Sequence, residues 1–352
     1  MTDRRKSGSM VLEFIKDREL WDSFVDASTY GLLFHKWDYI TITAQHAGYR
    51  LLPYGIYKGE ELVCLAPLYL KSTHGVKILF SPPPMQAVVP YQGFVPGKSF
   101  DTLKLGKKEE IMDLVAGDLS AEIDAISPHY FSLTLVPGLT DVRQFLWRGY
   151  DPKVHYTYVV DISRPIEKIW SDFHYKLRNK LRKAEKAGMN LVRSADISTL
   201  YTSLTERFSQ PEMKIAMVSR RYFEELFRAY PDHLAAYYLY DREGALMGAV
   251  ATQEYKRFLL WIGTPRIEGV HAGNEYLQWL LIQRAKAEGY SYLENIGAYT
   301  PDLNFFKSRF CSSLGIYMEV LRKDAVGTLA EWAYSNVINK PWLKRRFVPY
   351  ID

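Results

Sequence analysis

Cysteine is nearly missing from this chain: Cys64 and Cys311 are its 2 cysteines in 352 residues, far apart and outside any CxxC pair. That excludes a cysteine-rich zinc site and a disulfide framework. The 8 histidines stand singly, without HxH or HxxxH spacing, so no metal is expected. No Gly-x-Ser-x-Gly occurs, which removes nucleophile-elbow hydrolases. Long apolar runs are absent too. The strongest, 62–70 and 258–262, fall well short of the roughly 20 residues a membrane span needs. The first 17 residues put basic side chains around a short apolar run broken by Glu13, which is not a signal peptide, and a cytoplasmic protein is expected. Charge of one sign is scarce as well: 45 Lys and Arg against 40 Asp and Glu leave +5. Contact with a polyanion must therefore be local, and no DNA partner is expected.

What remains is a globular composition, 47% hydrophobic and 24% charged, which excludes a disordered or fibrous chain. Aromatic residues reach 14%, with 26 Tyr, suiting clefts with polar tips as well as cores. At about 150 residues per domain the length predicts two domains.

The second half has the clearest pattern. A helix over 172–187 precedes a strand at 189–193 and helices at 198–208 and 220–229. A hairpin follows at 235–240 and 245–253, turning at Asp241–Gly244. The apolar run 258–263 is a strand buried on both faces. Apolar residues 277, 280, 281 and 285 mark a helix over 274–288, stopped by Gly289. A strand at 290–296, a short helix at 302–310 and a strand at 314–321 complete it. The first half repeats much of this order: helices at 20–27 and 36–47, strands at 51–57, 62–70 and 76–80, a helix at 109–123, a strand at 130–136, a short helix at 141–147 and a strand at 156–162. Thr140–Trp147 and Thr300–Lys307 align without gaps.

That order, with a mixed sheet splitting after its fourth strand, resembles the GNAT acyltransferase fold, and a tandem pair resembles the Fem-type aminoacyltransferases and the wider FemAB-like proteins. The likeness is carried by Trp21–Val25 with Gly31–His35 and Trp37, by Ala66-Pro67-Leu68, Ser81-Pro82-Pro83 and Tyr91-Gln92-Gly93, by the basic segment Lys176–Gly188, and by Asn304–Phe310 with its Phe-Lys…Phe pattern. The resemblance covers residues 20–322. It implies an α/β (α+β) chain of two GNAT-like domains, each a mixed, mostly antiparallel sheet flanked by helices: 10–165, catalytically silent and on the acceptor side; 166–325, the active copy; and a helical tail over 326–352. The sequence departs from the family in Leu293–Gly297, where an acidic residue and paired glycines are usual. Arg266–His271 begins the coenzyme A pattern of GNAT enzymes but ends in His, so coenzyme A is not the favoured donor.

Acyl transfer to an amine passes through a tetrahedral oxyanion, and losing one donor to such an oxyanion costs about 10²–10³ in rate. The resemblance gives this role to Lys307, while Trp147 at the aligned position leaves the first copy silent. Backbone N–H groups of Trp261 and Ile262, on the splayed fourth strand, are further donors, although Trp261 fits a buried strand equally well. For a general base the sequence offers Glu254, Asp302 and Glu294 without ranking them.

Lys176, Arg178, Lys180, Arg182, Lys183 and Lys186 fill the outer arc of one helix whose Phe173, Leu177, Leu181 and Ala184 face a core. Either this is a solvated face or an anionic partner relieves the repulsion of like charges at i,i+4 spacing. The loop 81–94, with Tyr91 and Gln92, and Lys36 are read as an acceptor wall and an acceptor phosphate partner, with a structural role as the alternative. The tail, with Trp332, Trp342 and Lys344–Arg346, either packs on the second domain or docks weakly on anionic lipid.

These observations point to an N-acyltransferase that moves an aminoacyl group from charged tRNA to an amine of a nucleotide- or lipid-linked envelope precursor, with no permanently bound cofactor. Two alternatives remain: an acyl-CoA or acyl-carrier donor on the same fold, and a non-catalytic module that binds RNA or another polyanion.

Overall fold

Both halves of the chain follow one plan of strand, two helices, three strands, helix, strand, helix, strand. In the first half this is β1 (Val11–Phe14), α1 (Arg18–Ala27), α2 (Trp37–Ala47), β2 (Arg50–Lys58), β3 (Glu61–Thr73), β4 (Val76–Ser81), the two-residue β5 (Val95–Pro96) on β3, α3 (Leu105–Ile126), β6 (Tyr130–Thr134), α4 (Arg143–Leu146) and β7 (Asp151–Asp161). Helices α5 (Ile166–Asp172) and α6 (Tyr175–Ala187) follow. The plan then recurs as β8 (Asn190–Ser194), α7 (Ser198–Phe208), α8 (Arg220–Ala229), β9 (Leu234–Tyr240), β10 (Leu246–Glu254), β11 (Phe258–Gly263), α9 (Gly273–Ala287), β12 (Tyr292–Asn295), α10 (Pro301–Ser308) and β13 (Ser313–Lys323), with α11 (Ala325–Ala333) last. This computed structural model describes residues 11–73, 75–84, 88–208, 218–263, 267, 270, 272–297, 300–310, 312–333 and 336.

The chain forms two compact units. Of the described residues, unit 1 holds those within 11–84, 89–155 and 316–336, and unit 2 holds 88 and those within 156–315. In unit 1 the strands run β1-β2-β3-β4-β6-β13, antiparallel except for the parallel pair β4–β6. Unit 2 runs β8-β9-β10-β11-β12-β7, antiparallel except for the parallel pair β11–β12. The two strand series are therefore equivalent.

Their last strands are exchanged. Tyr158–Asp161 of β7 pair with β12, and Glu319–Lys323 of β13 pair with β6. The expected boundaries at 165/166 and 325 thus differ from the unit boundaries, because hydrogen bonding assigns each closing strand to the other half's sheet.

Local chemistry explains the elements. Ser219 caps α8 by accepting from the Tyr222 amide. One face of α8 buries Tyr222, Phe223, Leu226 and Phe227, and the opposite face carries the i,i+4 pairs Arg220–Glu224 and Arg221–Glu225. The helix expected over 172–187 is α6, which starts three residues late at Tyr175, and a separate α5 that was not expected precedes it. Phe173 turns extended and inserts its ring between Trp279 and Phe310, each 5.4 Å away, and His174 caps α6 from its own N-terminus. Of the expected tail, α11 is described, while Trp342, Lys344, Arg345 and Arg346 lie outside the described residues. Among the described residues no helix is long and apolar enough to cross a membrane.

Candidate functional site

In unit 2 the parallel ladder between β11 and β12 is short. It joins Phe258–Leu260 to Leu293–Asn295; β12 then stops while β11 continues to Gly263. Trp261 sits in a β-bulge at this point, since Leu260 pairs with Thr252 and Ile262 with Ala251. A bulge bends its strand locally, and past Leu260 and Asn295 the β11–β12 ladder has ended, which marks the notch between these strands. Trp261 itself is 4% exposed, packs edge-on against Phe223 at 5.7 Å and donates through Nε1 to the Val88 carbonyl at 2.7 Å. Its side chain is core, whereas Ile262 is half-buried on the continuing strand.

Lys307 stands at the end of β12. Thr300 caps α10 and Pro301 opens it, which puts Lys307 in the last turn, where the helix dipole favours a cation. Its side chain turns inward: Nζ donates to the carbonyls of Ile296 at 2.5 Å, Gly297 at 2.7 Å and Asn295 at 3.4 Å. Gly297, at φ +86°, makes the turn that points successive carbonyls at one ammonium. Burial, with 5% exposure, pulls the Lys307 pKa down to about 8, opposed by the nearby Glu294 carboxylate. The result is a fixed, poorly hydrated cation where the β11–β12 ladder ends, able to stabilise negative charge developing on a carbonyl oxygen there.

Next to it lies a pair not singled out from the sequence. Asn295 Nδ2 donates to Gln278 Oε1 of α9 at 2.9 Å, both residues are buried, and among the described residues Gln278 Nε2 has no partner. A polar Gln among the apolar positions of α9 was the available signal.

Glu254 and Asp302 occupy different surroundings. Glu254 pairs across from Phe258, at the start of β11 rather than at its open end. Its carboxylate accepts from Tyr237 OH at 2.7 Å and Thr252 Oγ1 at 2.8 Å and faces Arg193 at 3.4 Å, a network that holds Glu254 in a buried position. Asp302 is exposed in the first turn of α10, away from the inward face that carries Lys307. Glu294 is buried and accepts from Thr157 at 2.8 Å.

Helix α6 buries Leu177, Leu181 and Ala184, as the periodicity predicts. Of its cations Lys180 pairs with Glu275, in the first turn of α9, at 3.0 Å. Glu275 also meets Arg309 at 3.4 Å, and Arg309 lies just beyond Lys307 at the end of α10. Arg178 and Arg182 donate to the Ser171 carbonyl and to Asn179, and Arg182 also lies over the Trp170 ring. Among the described residues no carboxylate pairs with Lys176, Arg178, Arg182, Lys183 or Lys186. The helix thus brings an uncompensated cationic face to the α9–α10 side of the unit.

Unit 1 places its predicted residues differently. Lys36 is held by Asp26 at 2.9 Å and Asp22 at 3.8 Å, so an acceptor phosphate would have to displace these carboxylates. Tyr91 is fully buried against Phe34 and Tyr317. Gln92 is also fully buried: its amide donates to Phe34 O at 2.5 Å and its N–H to Thr134 O at 2.9 Å, and it forms a parallel bridge with Leu135. Both are packing residues in this structure, not a wall open to solvent. Residues 91–93 lie along β6 just beyond the end of the β4–β6 ladder, occupying the position equivalent to the unit 2 notch. Trp147, at the position aligned with Lys307, is 70% exposed.

Residues 171–307 match the model of the acetyltransferase (GNAT) domain. The chain is similar to the crystal structure of FemX, with a TM-score of 0.64 at 13% identity, over 88% of this chain and 96% of that one. Residues 171–307 are thus similar to a GNAT domain, and the chain shares the fold of FemX. The same fold is seen in L-PGS from Bacillus licheniformis, with a TM-score of 0.57 at 12% identity over 92% of this chain and 97% of that one. It is seen again in the C-terminal domain of a putative lysylphosphatidylglycerol synthetase from Agrobacterium fabrum, with a TM-score of 0.54 at 10% identity over 89% and 96%. No curated protein sequence matches the chain. Within the GNAT domain the coenzyme A-like stretch falls largely outside the described residues, which include only Ile267 and Val270 of positions 266–271.

Proposed function

We propose that this protein transfers an aminoacyl group from charged tRNA to an amine of a cell-envelope precursor. The observation that carries the reading is the cationic face of α6, where among the described residues Lys176, Arg178, Arg182, Lys183 and Lys186 have no carboxylate partner, in the unit that holds the buried Lys307 beside the end of the β11–β12 ladder. A phosphate backbone supplies the missing counter-charge, and each neutralised phosphate makes binding steeply salt-dependent. The likeness in fold to FemX and to a protein named for lysylphosphatidylglycerol synthesis supports an aminoacyl donor and an envelope acceptor.

In the reaction the acceptor amine attacks the ester carbonyl of the donor. A C–N bond forms, the ester C–O bond breaks, and the proton released by the amine ends on the departing ribose hydroxyl. Lys307 supports the oxyanion of the intermediate. To do so it re-aims the N–H now given to the Asn295 carbonyl, the longest of its three hydrogen bonds. Glu254 and Asp302 are assigned no proton transfer, the first because of its buried network and the second because of its outward position.

The test is transfer of label from total tRNA, charged with labelled amino acids, to a lipid-linked envelope precursor fraction. It is run beside titrations with uncharged tRNA over a salt series and with acetyl-coenzyme A. Saturable coenzyme A binding without tRNA binding would replace this donor by the acyl-thioester donor, the reading that the match to an acetyltransferase domain favours. Salt-sensitive tRNA binding without transfer would leave a binding module.

A further inference from the structure

We propose that unit 1 carries a site for an anionic phospholipid, formed by a cavity of about 450 Å³ between α1, the β2–β3 turn and the start of α3. Its size is within the roughly 300–1,000 Å³ of ligand pockets. Helix α1 turns Trp21 and Val25 into the core and leaves Leu20 and Phe24, one helical turn apart, on the adjoining arc. These two join Leu62, Phe100, Leu103 and Ile111 as the apolar lining.

The mouth is cationic. Lys58, Lys98 and Lys107 line it against Glu61 alone. Lys58 and Lys107 share one exposed partner, Glu110, at 3.4 and 2.8 Å. Lys104 and Lys108 stand beside them at the start of α3, Lys108 over the Phe100 ring, and that 22-residue helix has no acidic residue in its first turn. Among the described residues Lys98, Lys104 and Lys108 have no carboxylate partner. Cations gathered at the positive end of a helix oppose its dipole, and an anion at the mouth removes that cost. Leu105, 67% exposed, and Leu20, 43% exposed, project apolar surface beside the same lysines. An apolar cavity, a basic rim and projecting leucines match a lipid with its acyl chain inside, its phosphate at the lysines and the neighbouring bilayer under the leucines. A soluble phosphate would satisfy only the rim.

The test is sedimentation of the full-length protein with phosphatidylcholine vesicles, with and without phosphatidylglycerol. Retention is expected only on the anionic vesicles. It should fall about fivefold for each of Lys98→Gln and Lys107→Gln, the usual weight of a basic residue at an anionic leaflet. Ser23→Trp, which fills the cavity mouth without changing charge, and Leu105→Asp should each weaken it too, with melting temperatures near that of the parent protein. Glycerol phosphate should not compete. Equal retention on pure phosphatidylcholine, unchanged retention in the lysine and Ser23 variants, or full competition by glycerol phosphate would overturn the proposal. So would loss of retention only when Lys344, Arg345 and Arg346 are reversed. None of these readouts depends on acyl transfer, so the site and the proposed reaction stand or fall separately.

Discussion

Lys307 Nζ and the Ile296 carbonyl lie 2.5 Å apart, which ties the cation of α10 to the end of β12 at the point where its ladder with β11 has ended. A side chain placed there both secures the strand end and supplies charge to the notch, and substitutions can separate the two tasks. Lys307→Met keeps the apolar stem and removes the charge. The expected outcome is a fall of about 10²–10³ in single-turnover transfer with the fold retained by circular dichroism. Full transfer by this variant would exclude the oxyanion role.

The pH dependence follows from the same group. Burial lowers the Lys307 pKa to about 8, so the folded protein releases this proton before the unfolded chain does. Between about pH 8 and the ordinary lysine range the unfolded state binds more protons, and this residue's contribution to stability rises with pH. Transfer has the opposite trend, because the ammonium is lost as pH rises through about 8. The expected profile is a declining rate above pH 8 in the parent protein and a decline displaced to higher pH in Lys307→Arg, whose guanidinium stays charged.

Reversing Lys176 and Lys183 removes two α6 cations that have no carboxylate partner. tRNA affinity should weaken and the slope of log K against log salt should drop by roughly 2, measured by filter retention. An unchanged slope would return α6 to the role of a solvated face.

Gln92→Leu tests the closed notch of unit 1. It removes a buried donor to Phe34 O and leaves that carbonyl without this partner, which costs about 1–3 kcal/mol. Denaturant unfolding should show the loss, while donor binding stays as in the parent protein. A specific loss of acceptor affinity at unchanged stability would restore the residue to substrate contact.

Much of the fold was legible in the sequence. Period and punctuation placed α8 at Arg220–Ala229 and β11 at Phe258–Gly263, and the repeated order followed. Other features depend on contacts distant in sequence. The exchange of β7 and β13 changes neither strand's own pattern, since each presents the same alternation to either sheet. Phe173 breaks a continuous helical pattern because Trp279 and Phe310, remote in the chain, receive its ring. At the site, resemblance located Lys307, but its three carbonyl partners depend on the turn at Gly297. Tyr91 and Gln92 have polar tips that suggest a ligand wall, yet their partners are backbone groups and rings inside unit 1. The Gln278–Asn295 pairing is not legible in the sequence because its members lie in separate elements, although Gln278 is polar among the apolar positions of α9.

The strand exchange constrains how this protein can be dissected. A fragment ending at residue 165 keeps β7, whose described partner is β12, and lacks β13, which borders β6; the complementary fragment has the reverse defect. Each piece would expose a raw sheet edge and be prone to clump. Mixing the two should rescue both, so the smallest heritable piece of this architecture is the pair, even though its plan is written twice.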